Sequence, residues 1–239
     1  TFTVLTGVFG EFTGGAARQG IFPDVAFHLG GDEVNTDCWT KSANISQWLK
    51  DHGLTADQGY EYFVNRTSSI ALKMGRDPIV WEEVWKHFGT QLDKRIIIEA
   101  WLSSEAVVNA TSHGYRAIWA VDGRWYLDGL SVTWDDMWSQ DPLAGVAPAN
   151  QDLVIGGSAS MWSETVDASD QSNTIWPRAA AVSERLWSYH TIGFPNALVA
   201  KYRMQVFRCL LNRRGITAAP LDNPVARSAP PGPGSCFWQ

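Results

Sequence analysis

An apolar run that ends in two glycines and two carboxylates lies near the start of the chain. It reads Asp24-Val25-Ala26-Phe27-His28-Leu29-Gly30-Gly31-Asp32-Glu33. The apolar residues favour a strand covered on both faces, as in a parallel sheet with helices outside it. The two glycines let the backbone turn and let a ligand approach it closely, and acids just beyond a parallel strand lie where α/β folds place their chemistry. The alternative is that the two acids only cap a following helix.

The composition limits the classes of protein to which the chain can belong. Of its 239 residues, 45% are hydrophobic and 18% are charged, which is enough apolar material for a sizeable core. A net charge of -6 and a pI of about 5.3 argue against nucleic acid or an anionic membrane surface as a partner. No apolar run has the roughly 18 residues of a membrane-spanning helix, and Thr1–Gly10 lacks the basic start of an intact signal peptide.

Strand-like and helix-like segments alternate along the chain, which predicts a parallel sheet in an α/β fold. The predicted strands are 25–29, 79–81, 95–101, 115–121 and 153–157, and the predicted helices are 42–51, 56–74, 103–113, 176–187 and 196–213. The segment 124–150, rich in Trp, Asp and Pro, is expected to be irregular and functional. No linker divides the chain, so 1–239 is interpreted as one domain that ends in a Pro- and Gly-rich coil at 217–239.

Five blocks resemble, in the right order, those of the family 20 β-N-acetylhexosaminidases. They are His28–Glu33, Ile79–Val84, Trp125–Asp128, Met161–Glu164 and Trp176–Trp187. The likeness is nearest to the eukaryotic lysosomal or vacuolar enzymes, with a plant-like tail. The resemblance implies a (β/α)8 TIM barrel, of which this chain would supply about strands 4 to 8 as the C-terminal part of the catalytic domain. The expected partner is the N-terminal portion of the same protein, and a second copy of the chain is a further candidate.

The resemblance also assigns roles to the acidic pair. Family 20 is an exception to the usual two-carboxylate glycosidase mechanism, because the substrate's own acetamido group is the nucleophile. Glu33 would be the general acid and base, Asp32 would orient the acetamido N–H, and Tyr126 would hydrogen-bond the acetamido oxygen. The implied activity is release of terminal GlcNAc or GalNAc from glycans or chitooligosaccharides, once the N-terminal portion completes the barrel. The alternative is a non-catalytic glycan-binding or structural subunit.

Further residues of the implied site contact the sugar. The walls of the site would be Trp81, Trp101 and Trp162. Asp128 and Glu164 would accept hydrogen bonds from the outer hydroxyls of the sugar. Glu82 and Glu83 are interpreted as structural, and His28 as a support that does not react. The chain departs from the family pattern at Ser158, Ser160 and Ser163. No group of residues has metal-ligand spacing, so neither a metal nor a cofactor is predicted.

The cysteines and the glycosylation sequons point to the secretory route. By the resemblance, Cys209 and Cys236 would form the family's C-terminal disulfide, and Cys38 would pair with a cysteine upstream of Thr1. Three Asn-x-Ser/Thr sequons are present, at Asn44, Asn65 and Asn109. The lysosome, the vacuole or the extracellular space is therefore the expected location.

Overall fold

A computed structural model describes residues 1–15, 18–192, 197–222 and 236 of the chain. The chain folds as two compact units. The first consists of Thr1–Ile118 and Gly145–Ile155, and the second of Trp119–Ala144 and the described residues from Gly156 onward. The first unit is therefore built from two separate stretches of sequence.

A five-stranded sheet is the main β structure of the first unit. Its strands are β3 (Ala26–His28), β4 (Asp77–Trp81), β5 (Ile97–Ala100), β6 (Ala117–Trp119) and β7 (Val154–Gly157), which lie in that order. β3 pairs in parallel with β4, and β4 pairs in parallel with β5, so their carboxyl ends meet at one edge. β6 and β7 begin in the first unit and end in the second. A short antiparallel pair, β1 (Gly14–Gly15) and β2 (Arg18–Gln19), precedes the sheet.

Six α-helices are described in the first unit, and the three at 43–51, 56–73 and 104–112 match predicted helices. They are α1 (Phe2–Thr13), α2 (Asp37–Lys41), α3 (Ala43–Asp51), α4 (Ala56–Lys73), α5 (Glu82–Phe88) and α6 (Ser104–Ser112). Short 3₁₀ helices cover Gly89–Gln91 and Pro148–Leu153. The longest of these helices, α4, begins with a capping box, in which Thr55 and Gln58 satisfy each other's backbone N–H groups.

The core of the first unit lies between the sheet and helices α4, α5 and α6. It contains Tyr60, Val64, Val80, Val84, Trp85, Phe88, Leu92, Ile96, Ile98, Ala110 and Tyr115. All four residues of β5 are buried, as expected of a strand covered on both faces. This packing gives the turns at the carboxyl ends of β3, β4 and β5 a rigid support.

The second unit is mainly helical, and several of its tryptophans and arginines are buried. Its helices are α7 (Trp134–Ser139), α8 (Gln171–Ile175), α9 (Arg178–Ile192) and α10 (Ala197–Arg213). Trp125 is fully buried, and its Nε1 donates to the carbonyl of Met137 at 2.8 Å. Gly157 lies against this indole, since a Cβ there would come within 2.3 Å of Trp125 Cζ3.

The C-terminal part of this unit is held by a disulfide and by an arginine. The predicted disulfide between Cys209 and Cys236 is present, with 5.3 Å between the two Cα atoms. Buried Arg208 donates to the carbonyl of Ala219 at 2.8 Å and to that of Cys236 at 2.6 Å. Cys38 is exposed and forms no disulfide with the described cysteines, so its upstream partner stays a prediction.

The elements differ from the sequence prediction in several short helices, because α2, α5, α7 and α8 lie outside the predicted helices. Residues 124–150 were expected to be irregular, but α7 lies within them, and its capping box joins Thr133 to Asp136. Strands β3, β5, β6 and β7 are also shorter than predicted, whereas β4 is longer. Residues 217–222 form no helix or strand, as expected of the coil, while 223–235 and 237–239 lie outside the described residues. Among the described helices, none is long and apolar enough to cross a membrane.

Candidate active site

The turn after β3 carries the acidic pair, and its backbone explains the two glycines. Gly30 and Gly31 adopt φ angles of 74° and 98°, in the left-handed region. A Cβ on Gly31 would also lie 2.5 Å from Val84 Cγ2. Glu33 has a φ of 49°, a conformation that costs a non-glycine residue about 1–3 kcal/mol. The surrounding contacts therefore hold this turn in a shape that it would not adopt by itself.

Three hydrogen bonds fix the turn. The ring Nδ1 of His28 accepts from the backbone N–H of Gly30 at 2.9 Å, and the hydroxyl of Tyr60 donates to the carbonyl of Gly31 at 2.6 Å. The backbone N–H of Trp81, the last residue of β4, donates to the carbonyl of Gly30 at 3.1 Å. Both glycines are thereby tied to neighbouring elements of the first unit.

Burial and two nearby carboxylates affect the pKa of Tyr60 beside the turn. Burial raises the pKa of Tyr60 to about 12, and the carboxylates of Glu83 and Asp32 add to this shift. The phenol therefore stays protonated and keeps donating to Gly31 throughout the physiological pH range. Asp32 and Glu33 themselves are exposed.

His28 connects the turn to a buried carboxylate. Its Nε2 lies 3.2 Å from Glu99 Oε2, without the alignment of a hydrogen bond. Because Nδ1 accepts from Gly30, the proton of a neutral ring belongs on Nε2. The His28 ring also packs against the indole of Trp81, with 4.9 Å between the ring centroids. The predicted supporting position of His28 agrees with these contacts.

The two glutamates after Trp81 differ sharply in their surroundings. Glu82 is fully buried, and its Oε2 accepts from the backbone N–H groups of Leu102 at 2.8 Å and Ser103 at 3.1 Å. Its Oε1 lies 2.7 Å from Lys86 Nζ. These bonds tie the start of α5 to the segment after β5, which is a structural role.

Glu83 instead contacts two predicted site residues. Its Oε2 accepts from Nε1 of the half-buried Trp101 at 2.9 Å, and its Oε1 accepts from the backbone N–H of Glu33 at 3.4 Å. Within the first unit, the structure therefore brings Glu33 and Trp101 to the same side chain. Glu83 is the second residue after β4, at the carboxyl end of the sheet, where α/β folds place their site residues.

The second unit holds the other predicted site residues on two neighbouring segments. The buried Tyr126 pairs with Ser160 in a parallel bridge, and the N–H of Leu127 donates to the carbonyl of Ser160 at 2.7 Å. Trp162, which is 43% exposed, and Glu164, which is exposed, follow on the Ser160 segment. Within this unit, Tyr126 and Asp128 therefore lie on the segment bridged to the one that carries Trp162 and Glu164.

Arg178 holds the backbone on both sides of Asp128 in this unit. Asp128 Oδ1 is buried and accepts no hydrogen bond from the described residues. Arg178 donates to the carbonyls of Leu127, Gly129 at 2.8 Å and Val132 at 3.0 Å, and so fixes the loop around Asp128. Burial lowers the pKa of Arg178, and the nearby Asp128 carboxylate opposes that shift. An acceptor that is buried without a partner suits a ligand hydroxyl.

The remaining candidate positions lie away from the turn. The three sequon asparagines are exposed, on α3, α4 and α6, and Asn109 Oδ1 accepts from Trp85 Nε1 at 3.0 Å. Within the described part of the chain, no group of three or more His, Cys, Asp or Glu residues is arranged to hold a metal ion.

Comparison with known proteins identifies the family. Residues 1–190 match the model of the glycosyl hydrolase family 20 catalytic domain. The chain belongs to this family, as its sequence blocks predicted.

Relatives with curated names include Beta-hexosaminidase 1 of Arabidopsis thaliana, which is 45% identical over 242 residues that span 100% of this chain and 44% of that protein. Beta-hexosaminidase subunit beta of Mus musculus is 36% identical over 84% of this chain and 38% of that protein. The chain thus spans less than half the length of these relatives.

Solved structures agree on the fold. The chitobiase of Flavobacterium johnsoniae matches with a TM-score of 0.75 and 24% identity, over 90% of this chain and 32% of that one. The Streptomyces plicatus N-acetyl-beta-hexosaminidase matches with a TM-score of 0.68 and 21% identity, over 91% of this chain and 42% of that one. The predicted α/β fold, part of a (β/α)8 barrel, is confirmed.

Proposed function

We propose that the protein containing this chain is an exo-acting β-N-acetylhexosaminidase. It releases terminal, non-reducing GlcNAc or GalNAc from glycans or chitooligosaccharides, with retention at the anomeric carbon. The observation that carries the proposal is the acidic pair on its constrained Gly30–Gly31 turn, in a chain that belongs to glycosyl hydrolase family 20. The names of the relatives, which are beta-hexosaminidases, support it.

In the first step of the proposed mechanism, Glu33 donates a proton to the glycosidic oxygen as the bond to the anomeric carbon breaks. The substrate's acetamido oxygen attacks that carbon and forms an oxazolinium-like intermediate. Asp32 accepts a hydrogen bond from the acetamido N–H, which orients the group and stabilises the developing positive charge. Adjacent carboxylates suit this division of labour, since neighbours in sequence do not readily straddle a sugar from opposite sides.

In the second step, a water molecule attacks the anomeric carbon and gives its proton to the Glu33 carboxylate. The bond from that carbon to the acetamido oxygen breaks, and the free sugar leaves. The left-handed backbone at Glu33 supports this proposal, because strained residues persist mainly where a site needs them.

The sugar contacts proposed for the second unit are polar. Tyr126 donates to the acetamido oxygen, while Asp128 and Glu164 accept from the outer hydroxyls. The unpartnered Asp128 Oδ1 supports its assignment, because a buried acceptor discriminates strongly in favour of a ligand that donates to it. The proposed aromatic walls are Trp81, Trp101 and Trp162.

We also propose a context for the whole enzyme. The remaining part of the same protein, on this polypeptide or another, would complete the barrel, and a second copy is a candidate partner. Lysosomal, vacuolar or extracellular location is proposed from the disulfide and from the N-glycosylation sequons at Asn44, Asn65 and Asn109, whose asparagines are exposed.

The direct test is hydrolysis by the full-length protein. We expect release of 4-nitrophenol from the N-acetyl-β-glucosaminide and N-acetyl-β-galactosaminide, but not from the β-glucoside, which lacks the acetamido group. The matched control is Glu33→Gln, with a loss of about 10²–10⁴-fold or more in kcat. Sugar binding without any hydrolysis would favour the non-catalytic alternative.

A further inference from the structure

One carboxylate of the first unit joins two parts of the proposed site that are distant in sequence. Glu83 lies in the first turn of α5 and is half-buried. Its two oxygens accept from different donors, the indole Nε1 of Trp101 at 2.9 Å and the backbone N–H of Glu33 at 3.4 Å. The indole follows β5 and the backbone N–H follows β3, so Glu83 links the turns after two strands.

From this geometry we infer that Glu83 is a positioning residue for the general acid. It holds the backbone of Glu33 in its left-handed conformation and, through its second oxygen, fixes the orientation of the Trp101 indole. The inference rests on the proposed function, in which Glu33 donates the proton and Trp101 walls the sugar pocket. Glu83 itself contacts neither the leaving oxygen nor the acetamido group in this account.

Backbone strain at Glu33 and the distance of its carboxyl group from the substrate both depend on Glu83 in this proposal. A φ of 49° at Glu33 needs compensation from the surroundings, and a hydrogen bond from its N–H to a charged carboxylate is stronger than one to a neutral acceptor. General acid catalysis also depends on placement, because a shift of about 1 Å can lower a rate about 10²-fold. Losing the Glu83 bond would let the turn relax and move the Glu33 carboxyl away from the leaving oxygen.

Three substitutions in full-length protein separate this role from packing. Glu83→Gln keeps the shape but replaces one acceptor oxygen with an NH₂ donor, so it cannot accept from both partners. Glu83→Asp keeps the charge but is one methylene too short to reach both. Glu82→Gln is the matched control, since Glu82 is the adjacent carboxylate but bonds to the backbone of Leu102 and Ser103, not to Glu33 or Trp101.

The kinetic readout is the dependence of kcat/KM on the leaving group. For Glu83→Gln and Glu83→Asp, we expect a fall of about 10–100-fold on a methyl or chitobiose leaving group, which needs protonation. The fall on 2,4-dinitrophenol should be less than threefold. Glu82→Gln should lower the melting temperature and leave the ratio between these substrates unchanged.

A second readout does not need activity. Amide hydrogen exchange at Glu33 should be several-fold faster in Glu83→Gln than in Glu82→Gln, because only the first replaces the charged acceptor of that N–H with a single neutral amide oxygen for which the Trp101 indole competes. Unchanged exchange at Glu33 would overturn the inference, as would an equal loss on good and poor leaving groups. If wild-type protein hydrolysed neither substrate, the proposed function would fail, while the exchange result would still decide the role of Glu83 in the turn.

Discussion

The hydroxyl of Tyr60 donates a hydrogen bond to the carbonyl of Gly31, with 2.6 Å between the two oxygens. Tyr60 comes from the first turns of α4, and its side chain is almost completely buried. The bond therefore connects the core of the first unit directly to the turn that carries the acidic pair.

Removing this hydroxyl should loosen the turn. Tyr60→Phe leaves the Gly31 carbonyl without its donor, which we expect to lower the free energy of unfolding by about 1–3 kcal/mol. Urea unfolding of full-length protein measures this change. The control is Tyr62→Phe, whose hydroxyl accepts from Arg66 Nη1 at 2.8 Å in an exposed position and should matter little. Equal effects of the two variants would contradict the assigned role of Tyr60.

The raised pKa of Tyr60 also predicts a pH dependence. Its pKa rises from 10.0 to about 12 on folding, so the folded state binds the phenolic proton more tightly than the unfolded state does. The resulting stability is fully present below pH 10 and is lost as the pH rises through about 12. The difference in unfolding free energy between wild type and Tyr60→Phe should therefore shrink over this range. A difference that is constant with pH would show that Tyr60 does not titrate as described.

The two glycines of the turn should differ in their tolerance of a side chain. Gly31→Ala combines a φ of 98° with a Cβ only 2.5 Å from Val84 Cγ2, which predicts overpacking of about 1–3 kcal/mol in addition to backbone strain. Gly30→Ala meets only Asp32 Oδ1 at 3.8 Å, so it should suffer the backbone strain alone. The double variant Gly31→Ala/Val84→Ala should relieve the steric part. Melting temperatures that rank Gly30→Ala as the worse variant would refute this account.

Asp128 should control the response to charged sugars. A negative group facing the outer hydroxyls repels a 6-sulfated sugar, and at an effective dielectric constant of about 20 that repulsion exceeds 1 kcal/mol at short range. Asp128→Asn should therefore raise the ratio of kcat/KM for sulfated over neutral substrate by roughly 10-fold. Asp152→Asn, which removes an exposed carboxylate with no proposed sugar contact, is the control and should leave the ratio near its wild-type value. An unchanged ratio in Asp128→Asn would mean that Asp128 faces another part of the sugar.

The sequence predicted the order of elements because the strands are short apolar runs followed by clear helix signals. Ile97 and Ile98, for example, lie in a strand whose residues are all buried. Helix α7 was missed because its segment is rich in Trp and Asp, although the spacing of Thr133 and Asp136 is that of a capping box.

The supporting contacts of the site were beyond prediction for a different reason. Glu83 and Trp101 are 18 residues apart, and Tyr60 and Gly31 are 29 apart, so only the folded chain brings them into contact. Arg178 likewise reaches the carbonyl of Gly129 across 49 residues. The resemblance of the sequence blocks to family 20 identified the groups proposed to touch the sugar, but not those that hold them in place.

The measurement that tests the central claim most directly compares Glu33→Gln and Asp32→Asn over aryl N-acetyl-β-glucosaminides of graded leaving-group pKa. In Glu33→Gln, kcat/KM should fall steeply as the leaving group becomes more basic, because no acid protonates it. In Asp32→Asn, good and poor leaving groups should be slowed alike, because the acetamido nucleophile is disabled. Equal sensitivity of the two variants to leaving-group pKa would contradict the division of labour between Asp32 and Glu33.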